Sequence, residues 1–317
     1  MILALAGGVG GAKLAHGLAR VLDPMGLLIA VNTGDDFRHL GLHIAPDLDS
    51  VMYKLAGLND ATRGWGMRDE SWQFMDMLAR LGGEDWFNLG DRDLATHVER
   101  TQRLRAGETL TQTTAALTRA LGITHTVAPM SDDPVGTIID TAGGALPFQH
   151  WFVRLRCEPA VTGISFDGAA AARPSPPVAA ALTDESLEAI ILCPSNPFVS
   201  IDPIAAIPAI GTALAERRVP LIAVSPIIGG AAVKGPAAKM MADRGLPVSP
   251  LGIARYYGKR IDGLVIDSED AALAKDIERN GIRVTVTQAL MRSAADEAQL
   301  AQHTLAFAQE LKGSRRA

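Results

Sequence analysis

Two kinds of patterning divide the chain. At both ends, unbroken apolar runs alternate with stretches of helical periodicity, and a different texture lies between them. Residues 1–6 contain no polar side chain, as a parallel strand buried on both faces requires. Leu14, Ala15, Leu18, Ala19 and Leu22 then fall at helical spacing over 12–22, and Leu27–Val31 repeats the strand pattern. Pro46 suits a helix start, with Leu48, Val51, Met52 and Leu55 as its apolar positions. After Gly57, residues 71–81, 94–104 and 110–121 read as helices. Residues 135–141 and 145–155 flank Ala142-Gly143-Gly144 as a β-hairpin, and 161–166 adds a short strand. The Ala- and Pro-rich stretch 168–177 reads as a linker. The first rhythm then resumes, with strands at 190–192, 221–224, 264–266 and 284–286. The helices between them cover 204–217, a segment opening at Lys234-Gly235-Pro236, and a segment after Asp267-Ser268. A C-terminal helix covers 288–311, and residues 313–317 are expected to fray.

This alternation predicts an α/β fold: a Rossmann-like, doubly wound, mostly parallel sheet built from residues 1–57 and 178–317. A helical and β-hairpin insertion occupies 58–177. No internal repeat or low-complexity segment is present.

The richest chemistry sits at the predicted strand ends of the first fifty residues. Gly7-Gly8-Val9-Gly10-Gly11-Ala12-Lys13 joins the first strand to the first helix. Such a junction aims free backbone N–H groups and the positive end of a helix dipole at an anion. Gly8, Val9, Gly10, Gly11 and Lys13 are therefore candidate phosphate contacts. The loop matches neither common fingerprint. No Ser or Thr follows Lys13, and Lys13 stands where a dinucleotide loop has its third glycine. The competing reading is a plain tight turn, against which four glycines in five positions weigh.

Asn32-Thr33-Gly34-Asp35-Asp36 follows the second strand, and Pro46-Asp47-Leu48-Asp49 opens the next helix. Acids in a first helical turn are favoured by the dipole whatever their role. Four acids in fifteen positions beside a phosphate loop nevertheless suit Mg²⁺, which takes one or two carboxylates together with substrate phosphate. Asp35, Asp36 and Asp49 are the candidate ligands. A second polar loop, Cys193-Pro194-Ser195-Asn196-Pro197 continuing to Ser200, offers hydroxyl, amide and backbone donors past another strand end. Arg92, in Gly90-Asp91-Arg92-Asp93, reads either as a ligand contact or as a cap paired with its acidic neighbours. Lys234 reads as a phosphate contact or a solvated charge, and His97 as a structural histidine.

Composition narrows the function classes. The chain has 317 residues, 48% apolar and 21% charged, with a net charge of −5 and no dense basic stretch, which argues against nucleic acid as a partner. The two cysteines, Cys157 and Cys193, lack metal-ligand spacing and suit a reducing compartment. No apolar run is long enough to span a bilayer and no leader pattern opens the chain, so a cytoplasmic protein is expected.

Taken in order, the motifs Gly7 to Leu14, Asn32 to Asp36, Pro46 to Val51, Leu89-Gly90-Asp91-Arg92-Asp93, Met130-Ser131-Asp132-Asp133, Cys193 to Pro197, Ser225-Pro226-Ile227 and Gly229 resemble one family. It is that of the 2-phospho-L-lactate transferases of coenzyme F-420 biosynthesis. The resemblance runs from Met1 nearly to the C-terminus. It implies Mg²⁺-dependent transfer of a phospho-acid unit (2-phospholactyl, phosphoenolpyruvyl or 3-phosphoglyceryl) from a GDP-activated donor to the hydroxyl of the deazaflavin Fo, with release of GMP. It further implies Fo contacts at Asp49 and Arg92, with the insertion completing that site. Guanosine diphosphate contacts would fall on the glycine loop and on Ser195, Asn196 and Ser200, and the expected assembly is a homodimer. Asp49 and Asp36 are the candidate catalytic acids. Family members often carry Thr where this chain has Val9 and Gly11, so phosphate contacts there rest on backbone donors.

Two other classes compete. A non-enzymatic regulator of the gluconeogenesis-factor type, binding nucleotide-sugars, shares the glycine-loop start. A nicotinamide-dependent dehydrogenase shares the opening strand–helix–strand unit, but lacks the third glycine and has Asn32-Thr33-Gly34 where a ribose-binding acid belongs.

Overall fold

The apolar run at the N-terminus forms β1 (Ile2–Ala6), a central strand in the computed structural model of the chain, which describes residues 1–316. Its side chains serve two cores at once. Leu3 and Leu5 pack into one cluster, while Ile2, Ala4 and Ala6 pack into the other. That two-sided burial explains the absence of any polar residue in the run. The other strands of its sheet are β2 (Leu27–Val31), β3 (Thr126–Pro129), β4 (Ala189–Leu192), β5 (Leu221–Val224), β6 (Gly263–Asp267) and β7 (Arg283–Thr287). Their order is β7-β6-β5-β4-β1-β2-β3, and every pairing is parallel.

From β1 the chain moves outward through β2 to β3. From β4, on the other flank of β1, it moves outward the opposite way. The reversal between β1 and β4 leaves a crevice at their carboxyl ends, the place where sheets of this kind bind ligands. One face is covered by α1 (Gly8–Val21), α2 (Pro46–Leu55) and the C-terminal helix Ala294–Arg316. The other is covered by helices that include Pro176–Thr183, Pro208–Ala215 and Pro250–Tyr257. The added segments hold α3 (Gln73–Arg80), α4 (Asp91–Arg105) and α5 (Leu110–Ala120). They also hold a three-stranded antiparallel sheet with Gly136–Thr141 between Gly144–Pro147 and Gly163–Asp167.

Several expectations need correction. The segment 58–177 is not one uninterrupted insertion, because β3 returns to the main sheet and pairs with β2. α1 begins at Gly8 rather than Ala12, so the glycines form its first turn. The helix expected over 204–217 is broken: Pro208 forces Ile207 into an extended conformation between Asp202–Ala205 and Pro208–Ala215. The strand expected over 145–155 stops at Pro147, and a wide helical turn at His150–Arg154 buries Trp151 instead. The end of the supposed linker 168–177 starts a helix at Pro176. A small hairpin, Phe37–His39 with Leu42–Ile44, escaped the pattern because its turn places Leu40 at φ 51°, a conformation seldom taken by leucine. Residues 313–316 continue the C-terminal helix, and Ala317 lies outside the described residues. Among the described residues no single helix is long and apolar enough to cross a membrane.

The face carrying α1, α2 and the C-terminal helix is joined by one buried acid. Glu297 accepts from His16 on α1 at 2.5 Å and pairs with Lys54 on α2 at 2.7 Å. At Gly17 the α1 backbone approaches so closely that a Cβ would stand 2.5 Å from the Glu297 carbonyl carbon. Burial pushes the Glu297 carboxyl up, but the bonds from His16 and Lys54 outweigh it and hold the group below its ordinary range. Its folded-state pKa lies below the unfolded one, so the stabilisation is present above the unfolded value and lost as pH falls through the folded one. Glu297→Ala is expected to destabilise the protein by about 3 kcal/mol at pH 7. In urea unfolding, the gap between wild type and variant should shrink below the ordinary glutamate range.

Candidate functional site

The strand pair β1 and β4 ends with Leu5 in register with Leu192, which sets the loop after each strand against the other. A Cβ on Gly11 would sit 2.6 Å from Ser195 Oγ, and one on Gly10 would collide with the Pro194 carbonyl. Glycine is needed here so that the Pro194–Ser195 turn can seat on the first turn of α1. Gly7 N–H donates to Ser195 Oγ at 3.1 Å, and Gly8 N–H donates to Asp47 Oδ1 at 2.6 Å. Gly8 takes φ 64°, a left-handed conformation that glycine adopts without penalty. Gly7 has no side chain with which to cap α1, and Asp47 takes only the Gly8 N–H, so the next residues of the first turn, Val9 and Gly10, face the crevice.

That crevice is a cavity of about 470 Å³, of ordinary size for a small-molecule site. Gly8, Val9, Gly10 and Lys13 line it, as do Ser195, Asn196 and Ser200. Gly11 faces Ser195 instead. Asn196 caps its own turn, its Oδ1 accepting from Phe198 N–H at 3.0 Å. Lys13 Nζ donates to the Met291 carbonyl at 2.7 Å, and burial lowers its pKa. The loop bearing Met291 is shaped by Asp267 at the end of β6, which accepts from Ala289 N–H at 2.7 Å and Leu290 N–H at 3.0 Å.

The acids separate into two groups. Asp35 and Asp47 share the amide of Asn32, whose Nδ2 donates to both at 3.1 and 3.0 Å, and Gln149 Nε2 reaches Asp35 at 3.3 Å. Both acids line the cavity. Burial raises the Asp35 carboxyl well above its ordinary range, and the charges of Asp47 and Asp36 add to the rise. Burial also lifts Asp47, to about 6, against the bonds from Asn32 and Gly8. Two crowded, desolvated carboxylates beside a phosphate-type loop are a donor set that a hard divalent cation relieves.

Asp36 and Asp49 are already committed elsewhere. Asp36 pairs with His43 at 3.0 Å and stays outside the cavity wall; burial raises its pKa against the bond from His43. Asp49 lines the cavity, but both of its oxygens are held by the buried Arg100. Asp49, Asp93 and His97 have ligand-type atoms within 4.8 Å of one another. The Arg100 guanidinium lies inside that cluster, with Nη1 3.3 Å from His97 Nδ1, and its positive charge opposes a metal ion there.

The second wall comes from the added segments. Trp65, Phe87, Phe148 and Phe152 supply aromatic surface, and Tyr53 of α2 stands among them. Tyr53 OH donates to Asp93 Oδ1 at 2.5 Å, while His97 lies 3.4 Å from Asp93 and 3.6 Å from Asp49. Burial pushes Asp93 up, but His97 and Tyr53 outweigh it and hold the carboxyl below its ordinary range. Arg63 and Lys234 meet over the cavity, where Lys234 Nζ donates to the Arg63 carbonyl at 2.8 Å. Arg92 is not brought to this wall. It is exposed, and its Nη1 donates to the Arg68 carbonyl at 2.9 Å.

Tyr53 and Arg100 are cavity or supporting residues that sequence reasoning did not name; Asp47 was counted among the acids but not chosen as a ligand, and His97, read as structural, lines the cavity. A signal existed for His97 and Arg100: Asp93, His97 and Arg100 are spaced i, i+4 and i+7, which stacks them on one helical face.

Comparison with known proteins follows the same lines. A family model described as 2-phospho-L-lactate transferase CofD matches residues 2–305. The chain is 40% identical over 317 residues to a phosphoenolpyruvate transferase of Streptomyces griseus, covering 98% of this chain and 99% of the relative. It is 39% identical over 301 residues to a 2-phospho-L-lactate transferase of Methanosarcina mazei, covering 95% of this chain and 98% of the relative. Its fold is similar to that of a UPF0052 family member from Bacillus halodurans, with a TM-score of 0.61, 11% identity and coverage of 96% and 98%.

The close seating of the two loops can be probed directly. Gly10→Ala should push the Pro194 turn away from α1, destabilising the fold by about 1–3 kcal/mol. In thermal melts the midpoint of the variant should fall by a few degrees.

Proposed function

The chain belongs to the CofD family of 2-phospho-L-lactate transferases, and from that premise we propose that it acts in coenzyme F-420 biosynthesis. In this reading it moves a three-carbon phospho-acid unit from a GDP-activated donor to the deazaflavin Fo. The observation that carries the reading is the division of one cavity into two chemistries. Backbone donors, Lys13 and paired acids come from the α/β core, and aromatic surface comes mainly from the added segments. The first wall suits a diphosphate and the second a flat heteroaromatic ring.

The transfer needs a hydroxyl aligned with a phosphorus atom and neutralised charge on the departing phosphate. The Fo hydroxyl oxygen bonds to the phosphorus that carries the acid. The bond from that phosphorus to the bridging oxygen breaks, and GMP leaves with the electron pair. The hydroxyl proton passes to a carboxylate, for which Asp49 is placed on the cavity wall. The first turn of α1 and Lys13 hold the diphosphate. Asp35 and Asp47, rather than Asp36 and Asp49, would hold Mg²⁺, because Asp36 stays outside the cavity wall and Asp49 is already neutralised by Arg100. When bound, the ion supplies charge neutralisation for the diphosphate oxygens.

Fo binding, followed by deazaflavin absorbance, tests the reading, together with GMP release from phospholactate and phosphoenolpyruvate each joined to GMP through a diphosphate. Saturable Fo binding and stoichiometric GMP are expected. Nucleotide binding with no Fo binding and no turnover would return the regulator reading. Asp49→Asn should lower turnover at least roughly 100-fold, whereas Arg92→Ala, whose side chain points at Arg68, should weaken Fo binding far less. A Mg²⁺-dependent rise in melting temperature is expected with GDP, and Asp47→Asn should abolish it. An unchanged rise would remove Asp47 from the metal set.

A further inference from the structure

Arg100 is fully buried on α4, yet it does not line the cavity. Its Nη1 and Nη2 both donate to Asp49, one to each carboxylate oxygen. Nη1 also lies 3.4 Å from the His43 carbonyl, and Nε is buried without a hydrogen-bond partner. Burying a guanidinium costs several kcal/mol of lost hydration, and apolar side chains often replace buried ion pairs with no loss of stability. Stability alone therefore does not account for an arginine here. The two-point fork offers something an apolar residue or a lysine does not, since it fixes the rotation of the carboxylate as well as its place.

Asp49 sits in the first turn of α2, whereas Arg100 comes from the added segment. The fork carries the position of that segment into the orientation of an acid on the core. Each Asp49 oxygen keeps a lone pair free for a donor in the cavity. We propose that Arg100 is a positioning residue for the transfer, holding the Asp49 carboxylate in the one orientation from which it meets the acceptor hydroxyl. This rests on the reading of Asp49 given above.

A double-mutant cycle tests it, using the full chain, Fo and whichever GDP-activated donor turns over. Arg100→Met should lower kcat roughly 10- to 100-fold, the scale of a misplaced reacting group, with the donor KM changed less than twofold. In an Asp49→Asn background the same change should cost less than twofold, because the group through which Arg100 acts is already disabled. Equal losses of kcat in both backgrounds would overturn the proposal. Arg100→Lys covers the case in which Arg100→Met does not fold: it keeps the charge and loses the fork. Reduced kcat at a melting temperature near wild type supports the proposal, and unchanged kcat overturns it. Near-normal turnover in Asp49→Asn alone would instead sink the reading of Asp49, which separates the two failures.

Discussion

The loops after β1 and β4 meet where Gly10 and Gly11 put no side chain between them, and the rest of the site depends on that approach. Two parallel strands in register deliver their loops to the same level. Glycines at 10 and 11 then let Pro194 and Ser195 rest on the first turn of α1. With the turn in place, Ser195 satisfies the Gly7 N–H, Asp47 satisfies the Gly8 N–H, and Val9 and Gly10 of the first turn of α1 open on the cavity. The glycine run thus has two duties. It exposes backbone donors, and it allows a loop-to-loop contact that any larger residue would prevent.

Around that contact the chain concentrates buried charge and gives each charge a partner suited to a different purpose. Asp35 and Asp47 are held only by amides and a backbone N–H, so burial raises their pKa values and leaves a demand for a cation. Asp49 has a permanent cation in Arg100 and makes no such demand. Asp36 is turned aside by His43. Glu297 is neutralised by His16 and Lys54 behind α1, and there the charge serves to join helices rather than to bind ligand. The four aspartates, alike in sequence, are sorted by the groups that approach them.

Much of the core was legible because its strands are buried on both faces. A strand in that position cannot carry a polar residue, so Ile2–Ala6, Leu27–Val31 and Leu221–Val224 announce themselves. Thr126–Pro129 did not, because it lies at the sheet edge with Thr126 exposed and follows a helical stretch that masked it. The break at Pro208 was missed because apolar periodicity continues on both sides of it, although proline chemistry marked the position.

By itself the sequence determined the doubly wound order of strands and helices, the placing of glycines and acids at strand ends, and the family. Those are properties of local pattern and spacing along the chain. Only the tertiary structure decided which acids face the cavity and which are already paired. That outcome depends on Asn32, His43 and Arg100 arriving from elements 3, 7 and 51 residues away from Asp35, Asp36 and Asp49, respectively. It decided too that Arg92 turns to Arg68 while Arg100, one face further along α4, reaches Asp49. Helical spacing says which residues share a face; packing alone says what that face meets.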